Sequence, residues 1–513
     1  MNLRRTATLG ALAATAAAIV VWRRKATRLT HAAGGAPAQD STDSIASRSR
    51  GPVTHFSSFE RNSRLAGVGA KAGKDFAVHR ARRAFASAER KESLDVEFEI
   101  KTAEQVTEAL GQMKGALMKL GQMVSYLDQG LPEHVREALS QLQQDAPPMS
   151  GELAAGVIAE ELGAHPDELF AEWDPVPIAS ASIGQVHRAF THDGRAVAVK
   201  VQYPGVDKAV ASDLDSVGLV FAGMGQLFPG LDHKPIVAEL RERLIEELDY
   251  EREAVNQQMF ADFYAGHPYI HVPDVVFELS SRRVLTSDLV EGVGWSELLT
   301  WTQEEKNLAA ETLYRYAFGS LYRLKAFNGD PHPGNYLFRP GGHVTFLDYG
   351  LVKRFTDEEL EPFQRMIHWM VIEPDAQKFR EAIEDIGLLA KDAPFSNDEI
   401  IDYFGHFYEF VAQDGEYTIT AEYASETVRR FFDQRGPYGE IMKAANLPPS
   451  FVIINRINLG LYALFGELNA TGNFRRLADE IWPWVSGPPS TRMGDESLAW
   501  QEHSLAGSTP ADS

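Results

Sequence analysis

Residues 328–335 read Asn-Gly-Asp-Pro-His-Pro-Gly-Asn, and residues 346–350 read Phe-Leu-Asp-Tyr-Gly. Together they supply a carboxylate (Asp330), an amide five residues later (Asn335) and a second carboxylate (Asp348) after a hydrophobic run. Phosphoryl-transfer sites of the kinase type use an acid, an amide and an acid in this order. Asp330 can orient a hydroxyl or a water, while Asn335 and Asp348 can hold Mg²⁺, a hard ion that prefers oxygen ligands. A single Asp in a loop is usually a turn former, but the combined pattern favours a kinase-type site.

The composition excludes several kinds of site. The chain has 513 residues, enough for about three domains, and it contains no cysteine, which removes disulfides, thiolate metal sites and cysteine nucleophiles. The net charge of -22 is uneven, because Met1–Glu92 holds 17 Lys/Arg and 6 Asp/Glu against 33 and 66 in the remainder. The acidic body disfavours general nucleic-acid binding. The basic amino-terminal arm suits the anionic inner leaflet of a membrane.

The amino terminus contains a candidate membrane anchor. The apolar run Thr6–Trp22 spans 17 residues, at the short end for a transmembrane helix. A cleaved signal peptide and a peripheral contact are the alternatives; three cations at 23–25, where a cleavage region would lie, disfavour the signal peptide. Their charge favours a cytoplasmic catalytic domain. We therefore expect an anchor at 1–28 and a flexible basic linker at 29–75.

Periodicity and turn residues divide the rest of the chain. Short β-branched runs flank Asp193-Gly194, which is a hairpin signal, and an amphipathic helix is predicted over Pro235–Tyr264. Val272–Phe277 and Arg283–Leu289 read as strands, and the interrupted apolar run Phe451–Phe465 favours core packing over membrane contact. The predicted segments are a helical extension at 76–175, a strand-rich N-lobe at 176–290, a helical C-lobe at 291–390, a helical region at 391–486 and a disordered tail at 487–513. The predicted fold is α+β, a two-lobed protein-kinase-like fold with helical additions at both ends.

Lys200 ends the hydrophobic run Val-Ala-Val-Lys at residues 197–200. A lysine there can reach the α- and β-phosphates of a nucleotide if an acid holds it in place; taken alone, it would be read as a surface lysine at a strand end. Glu253, on the helix downstream, is a suitable partner. Asp249 lies four residues earlier on the same helical face, so both acids can point inward.

Two further segments are rich in small residues. Residues 178–186 read Ile-Ala-Ser-Ala-Ser-Ile-Gly-Gln-Val, where a kinase has its glycine-rich loop. Alanine and serine side chains change how closely backbone N–H groups can approach phosphate. Residues 119–122 read Lys-Leu-Gly-Gln within a predicted helix, where a glycine costs about 1 kcal/mol relative to alanine and usually marks close packing. Taken alone, these segments would be a small-residue turn and a polar helix surface.

With these residues in place, the chain resembles the UbiB/AarF family of atypical, protein-kinase-like proteins over residues 103–484. Four family features occur in order. The matching segments are Lys119–Gln122 for the Lys-x-Gly-Gln signature, Ala179–Gln185 for the Ala-rich loop, Glu247–Asp249 for the Glu-x-Asp signature, and Asp330–Asn335 with Asp348–Gly350 for the catalytic and metal motifs. Tyr349 departs from the usual phenylalanine, and the candidate anchor precedes the kinase core, whereas some members anchor at the carboxyl end.

The resemblance implies binding of ATP or ADP and Mg²⁺, ATPase or small-molecule kinase-like activity, and support of isoprenoid-quinone or related lipid metabolism at a membrane. It also implies membrane lipids, isoprenoid-quinone precursors and lipid-biosynthesis enzymes as partners. The implied site residues are Asp330, Lys200 and Glu253 for catalysis; Ala181, Ser182, Gly184, Lys200, Asp288 and Val290 for the nucleotide; Asn335 and Asp348 for Mg²⁺; and Lys119, Gln122, Glu247 and Asp249 for a polar network that restricts substrate access. Two alternatives stay open: a soluble phosphotransferase of the aminoglycoside or choline kinase type, and a nucleotide-gated lipid-handling scaffold with little catalysis.

Overall fold

The computed structural model describes residues 149–181, 183–206, 248–329, 331–432, 436–446, 449–485 and 487–507. All of them belong to one compact unit, formed by 145–208 and 239–513. A second unit, formed by 1–144 and 209–238, lies outside the described residues. The predicted anchor, the linker and most of the helical extension therefore fall outside the described residues, as do the predicted site residues Lys119, Gln122, Ser182, Glu247 and Asp330.

The described chain begins with helices and a sheet and continues as a mainly helical body. The strands, in chain order, are β1 (Glu172–Ser180), β2 (Gly184–Phe190), β3 (Ala196–Gln202), β4 (Ile270–His271), β5 (Val284–Asp288), β6 (Ala326–Asn328), β7 (Tyr336–Arg339), β8 (His343–Phe346), β9 (Val352–Arg354), β10 (Tyr417–Ile419) and β11 (Ala470–Gly472). The helices are α1 (Gly151–Leu162), α2 (Pro166–Leu169), α3 (Tyr250–Phe263), α4 (Trp295–Leu298), α5 (Gln303–Gly319), α6 (Asp357–Ile367), α7 (Ala376–Ile386), α8 (Asn397–Gly405), α9 (Glu409–Ala412), α10 (Ala421–Phe432), α11 (Gly439–Ala444), α12 (Pro449–Leu468), α13 (Phe474–Ile481) and α14 (Arg492–Gly507).

The amino-terminal sheet is antiparallel with the strand order β1-β2-β3-β5. The predicted hairpin is confirmed: β2 and β3 pair around Gly194, whose positive φ of 87° suits glycine. Successive residues of β3 face opposite sides of the sheet. Val197, Val199 and Val201 are fully buried in a core shared with α1. Lys200 therefore points to the other face of the sheet.

Helix α3 differs from the predicted helix in its start, and its inward face is polar. The prediction of a continuous helix over Pro235–Tyr264 is wrong, because Asp249 is extended (φ -112°, ψ 90°) and caps α3 by accepting from the Arg252 N–H. The inward face carries Glu253, Asn256 and Gln257, whereas Val255 is 53% exposed. Glu253 therefore faces inward whereas Asp249 caps the helix, and α3 buries polar groups towards the sheet and the loops of the body.

The helical body is built around α5, which is buried over residues 309–317. Strand β8 pairs in parallel with β4 and antiparallel with β7, while β6 pairs antiparallel with β9. The predicted strand at Val272–Phe277 is wrong: there the chain makes only an isolated bridge between Val275 and Ser287. Core packing of the 451–465 run is confirmed for the residues whose burial is described, with Ile457 and Phe465 at 1% and 0% exposure. These short strand pairs carry the two loops of the candidate site.

The prediction of a disordered tail from residue 487 is wrong over α14, which packs against the helical body. Met493, Ser497 and Trp500 recur at steps of four and three, so they share one helical face. Met493 is 2% exposed and Ser497 5% exposed. The Pro/Ser/Gly-rich segment before α14 concealed this short pattern. Within the described residues, no helix combines the length and the apolar character needed to cross a membrane; the predicted anchor lies outside them.

Candidate active site

Lys200 and Glu253 form a buried ion pair between strand β3 and helix α3. The Lys200 Nζ donates to both carboxylate oxygens of Glu253, at 2.7 and 3.0 Å. The Glu253 side chain is 3% exposed and the Lys200 side chain 18%. The ammonium also lies 4.8 Å from the centre of the Tyr250 ring, a cation–π distance. The polar face of α3 therefore holds the lysine in one position.

The charges around Lys200 perturb its pKa. Burial by itself lowers the pKa of an ammonium group, but the carboxylates of Glu253 and Asp348 outweigh burial and raise the pKa of Lys200. Burial raises the pKa of Glu253, and the charge of Asp348 adds to this effect while Lys200 opposes it. Two carboxylates thus surround one ammonium. A second cation beside Asp348 would relieve the repulsion between them.

Two loops of the helical body are joined by hydrogen bonds next to this ion pair. The segment 331–335 lies between β6 and β7 in the chain, and the 347–351 loop follows β8. The Gly329 N–H donates to the Leu351 carbonyl at 2.8 Å, and the Leu347 N–H donates to the Asn335 carbonyl at 3.0 Å. The Asn328 amide donates to the Asp348 carbonyl at 2.5 Å. The segment that contains Asn335 and the segment that contains Asp348 are therefore held side by side.

Asp348 connects this loop pair to the sheet. Its Oδ2 lies 3.9 Å from the Lys200 Nζ, and its Oδ1 accepts from the Gly350 N–H at 2.9 Å. The Asn256 amide of α3 donates to the Tyr349 carbonyl at 3.3 Å. Helix α3 thus contacts both the lysine and the Asp348 loop, which makes it the element that couples them.

The side chain of Tyr349 anchors the Asp348 loop in the core. Tyr349 is fully buried, and its ring lies 5.0 Å from that of Phe260 on α3. Its hydroxyl accepts from the Tyr316 hydroxyl at 3.1 Å. From the sequence, Tyr349 was noted only as a departure from phenylalanine, and Tyr316 was not identified. A tyrosine in place of phenylalanine was the available signal, because a buried hydroxyl needs a hydrogen-bond partner.

The turn between β1 and β2 contains residues that the sequence predicts to form a phosphate loop. The Ala181 N–H donates to the Gly184 carbonyl at 2.8 Å and closes the turn. A Cβ on Gly184 would lie 2.3 Å from the Val201 carbonyl oxygen, closer than any real contact allows. The Tyr203 N–H also donates to the Ile183 carbonyl at 2.9 Å. The turn is therefore fixed to β3 close to Lys200.

The end of β5 contains the segment predicted to contact adenine. The Asp288 N–H donates to the Asp274 carbonyl at 3.0 Å, and its carboxylate pairs with Arg195. Among the described residues, no hydrogen-bond partner is recorded for the N–H or the carbonyl of Val290. The Asp288 N–H is thus already engaged by the Asp274 carbonyl.

The described residues of the predicted polar network are limited to Asp249, which caps α3. The donor set at the loop pair fits Mg²⁺ shared with phosphate, because Asp348 and Asn335 supply carboxylate and amide oxygens on adjoining segments. No group of three or more His, Cys, Asp or Glu side chains able to hold a metal is found in the part of the chain that the structure describes. Mg²⁺ keeps several waters and uses few protein ligands when it binds with phosphates.

Comparisons with known proteins agree with this architecture. The profile of the ABC1 atypical kinase-like domain matches residues 141–383. The solved Rv3197–erythromycin complex from Mycobacterium tuberculosis is 32% identical with a TM-score of 0.58, covering 78% of this chain and 100% of that chain. The α+β arrangement of an amino-terminal sheet and a helical body is therefore similar to that of a solved protein.

Curated relatives share the same region. The mitochondrial atypical kinase COQ8 of Saccharomyces cerevisiae is 31% identical over 271 residues, which cover 52% of this chain and 54% of the relative. The mitochondrial atypical kinase COQ8B of Rattus norvegicus is 34% identical over 258 residues, 50% of this chain and 49% of the relative. The AarF domain-containing protein kinase 1 of Mus musculus is 34% identical over 269 residues, 50% and 51%. The chain spans about half the length of these relatives.

Proposed function

Because the chain belongs to the ABC1 atypical kinase-like family, we propose that it binds ATP with Mg²⁺ and acts as an atypical kinase or ATPase. The observation that carries this proposal is the position of the Lys200 ammonium, which lies 2.7 Å from Glu253 and 3.9 Å from Asp348. Kinase-type sites need both this ion pair and a metal-binding acid in place. A surface lysine at a strand end has no need of two carboxylates and a polar helix face.

The proposed roles follow from the chemistry of each group. Lys200, held by Glu253, steadies the α- and β-phosphates. Asn335 and Asp348 hold Mg²⁺, which supplies charge neutralisation for the phosphate oxygens. Asp330, which follows Gly329 in the sequence, is proposed to orient the acceptor hydroxyl or the attacking water.

The nucleotide is proposed to lie between the sheet and the loop pair. The β1–β2 turn, with Ala181, Ser182 and Gly184, would cover the phosphates, and its closure onto β3 supports this role. Asp288 and Val290 would recognise adenine through their backbone groups. The proposed restriction of substrate access, by Lys119, Gln122, Glu247 and Asp249, rests on the sequence signatures alone.

We further propose that the reaction supports isoprenoid-quinone or related lipid metabolism at a membrane. The apolar segment Thr6–Trp22 and the basic arm around it support the membrane location. Membrane lipids, quinone precursors and lipid-biosynthesis enzymes are the proposed partners.

Turnover at a membrane separates the enzyme from a scaffold. Phosphate release from ATP is measured with the purified full-length chain, with and without liposomes that contain anionic lipid. The proposal predicts release that liposomes increase and that Asp330→Asn removes. ATP binding and lipid extraction without phosphate release would support the lipid-handling scaffold instead.

The metabolic role has its own test. Deleting the gene is expected to change the quinone or polar-lipid pools, and the wild-type gene is expected to restore them whereas Asp330→Asn is not. Unchanged quinone and polar-lipid pools after deletion would contradict the proposed role in lipid metabolism. Phosphoryl transfer is tested separately, by the release of phosphate from ATP.

A further inference from the structure

A second cavity lies in the helical body, between the end of α3, the end of α5, the end of α13 and α14. Its volume is about 440 Å³, within the range of pockets that bind small molecules. None of its lining residues is among those proposed to contact nucleotide or Mg²⁺. It is therefore distinct from the candidate active site.

Much of the cavity wall is apolar and held in place by hydrogen bonds. Phe263, Ile481, Leu498 and Trp500 contribute side chains to it. The Trp500 indole N–H donates to the Ala265 carbonyl at 2.8 Å, which fixes the ring on the end of α3. Such a wall suits the hydrocarbon or aromatic part of a ligand.

Three hydrogen-bond donors line the same cavity. Ser497 is 5% exposed, and its Oγ has no hydrogen-bond partner among the described residues. His267 accepts through Nδ1 from the N–H groups of Tyr269 and Ile270, at 3.1 and 3.0 Å. The proton of the neutral ring is therefore on Nε2, which makes that nitrogen a donor. Arg323 donates to the Glu480 carbonyl at 2.8 Å and forms no ion pair with a described carboxylate.

The other charged groups of the cavity are already engaged. Arg315 pairs with Glu311 and Glu480, each at 2.8 Å. Glu480 also accepts from the Ser490 N–H at 2.7 Å. Asp262, at the exposed rim, accepts from the Gln258 amide at 2.8 Å. What remains is one guanidinium without an ion pair and two neutral donors, a set that matches one carboxylate. Because Glu480 and Asp262 are already negative, a group with one negative charge is accommodated at a lower electrostatic cost than a doubly charged phosphate.

We propose that this cavity binds an amphipathic monocarboxylate. Its apolar part contacts Phe263 and Trp500, and its carboxylate accepts hydrogen bonds from Arg323, His267 and Ser497. The orphaned Ser497 hydroxyl finds its partner when the ligand is bound. This inference does not depend on phosphoryl transfer.

The test uses octanoate as the probe and 1-octanol as the matched uncharged ligand, with calorimetry on the full-length chain. We expect one-site, saturable octanoate binding that is tighter than octanol binding. Arg323→Gln is expected to weaken octanoate binding about tenfold, as expected for a lost hydrogen bond to a charged group, and to leave octanol binding unchanged. Ser497→Leu, which puts a larger apolar side chain into the cavity and removes the hydroxyl, is expected to weaken binding of both.

Arg492→Gln is the control for Arg323→Gln. Arg492 is a cation on α14, the helix of Ser497, but it pairs with Glu496 and does not line the cavity. The control variant is expected to bind octanoate like the wild type. If Ser497→Leu does not fold, Arg323→Gln decides. Absence of saturable octanoate binding, or binding that Arg323→Gln leaves unchanged, would overturn the proposal.

Discussion

Replacing Glu253 by glutamine removes the charge that holds Lys200 and keeps the shape of the side chain. Removing one partner of a buried ion pair costs about 3–5 kcal/mol, because the other charge stays buried. Lys200 keeps Asp348 at 3.9 Å and the Tyr250 ring at 4.8 Å. We therefore expect Glu253→Gln to lower the free energy of unfolding by about 3 kcal/mol, the low end of that range.

A double-mutant cycle with Lys200→Met isolates the pair. Lys200→Met leaves the Glu253 carboxylate buried beside Asp348, so we expect a loss of similar size. The double variant contains neither charge, and its loss is expected to be smaller than the sum of the single losses by about 2 kcal/mol or more. Urea unfolding of the full-length chain measures all four proteins. Additive losses would refute the view that the two groups act as a pair.

The same cycle predicts a pH dependence. Burial and Asp348 raise the pKa of Glu253, and in Lys200→Met the opposing ammonium is gone. A carboxyl group with a raised pKa in the folded state binds more protons there than in the unfolded state, so stability falls as pH rises through the folded pKa. Lys200→Met is thus expected to lose stability relative to the wild type between pH 5 and pH 8. The double variant is expected to lack this fall of stability with pH. If the fall persists in the double variant, a group other than Glu253 causes it.

Three further predictions concern the surroundings of the site and of the second cavity. Gly184→Ala is expected to lower the free energy of unfolding by about 1–3 kcal/mol, because its Cβ would lie 2.3 Å from the Val201 carbonyl oxygen. The control is Gly156→Ala within α1, where nothing lies within 4 Å of the new Cβ; it is expected to raise the free energy of unfolding by about 1 kcal/mol. Equal effects of the two substitutions in urea unfolding would contradict the close contact at Gly184. Tyr349→Phe is expected to cost about 1 kcal/mol in the same assay through the lost hydrogen bond to Tyr316 and to leave MgATP affinity unchanged; a large loss of affinity would give the hydroxyl a direct role at the site. Burial, aided by Arg315 and Arg323, lowers the pKa of His267 to about 3. Imidazole nitrogen NMR is therefore expected to show a neutral ring with its proton on Nε2 from pH 5 to pH 8. Protonation of the ring near pH 6.5 would contradict the burial of His267 beside the two arginines.

The parts of the fold that follow local rules were predictable from the sequence. The Asp193-Gly194 hairpin carries its turn signal in its own residues, and the hydrophobic run that contains Lys200 forms strand β3. The order of the motifs pointed to the right family. These signals depend on neighbours in the chain, which is why a single sequence was enough.

The errors arose where tertiary contacts override local pattern. Helix α3 begins only after Asp249, because the Asp249 side chain caps its first turn and the Tyr250 N–H donates to the Arg282 carbonyl. The inward face of α3 is polar because it holds Lys200 and the Asp348 loop, while the apolar side chain of Val255 is exposed. A functional helix is where hydrophobic patterning is expected to fail.

The second cavity could not be predicted, because its wall comes from four elements that are distant in the sequence. Helix α14 was not predicted, because only a few of its side chains, among them Met493 and Trp500, pack against the helical body. The predicted membrane anchor and the roles of Lys119, Gln122, Glu247, Ser182 and Asp330 remain predictions, since these residues lie outside those described.

The most direct test of nucleotide-dependent function is the binding of MgATP to the full-length chain, compared between the wild type and Asp348→Asn. We expect saturable binding to the wild type that EDTA weakens, because Asp348 and Asn335 would hold the metal against the phosphates. We expect Asp348→Asn to abolish MgATP binding, since the substitution removes the negative charge from the metal site. Equal affinity of the two proteins for ATP in Mg²⁺ buffer would contradict the assignment of Asp348, and no binding to either would contradict the proposed nucleotide site.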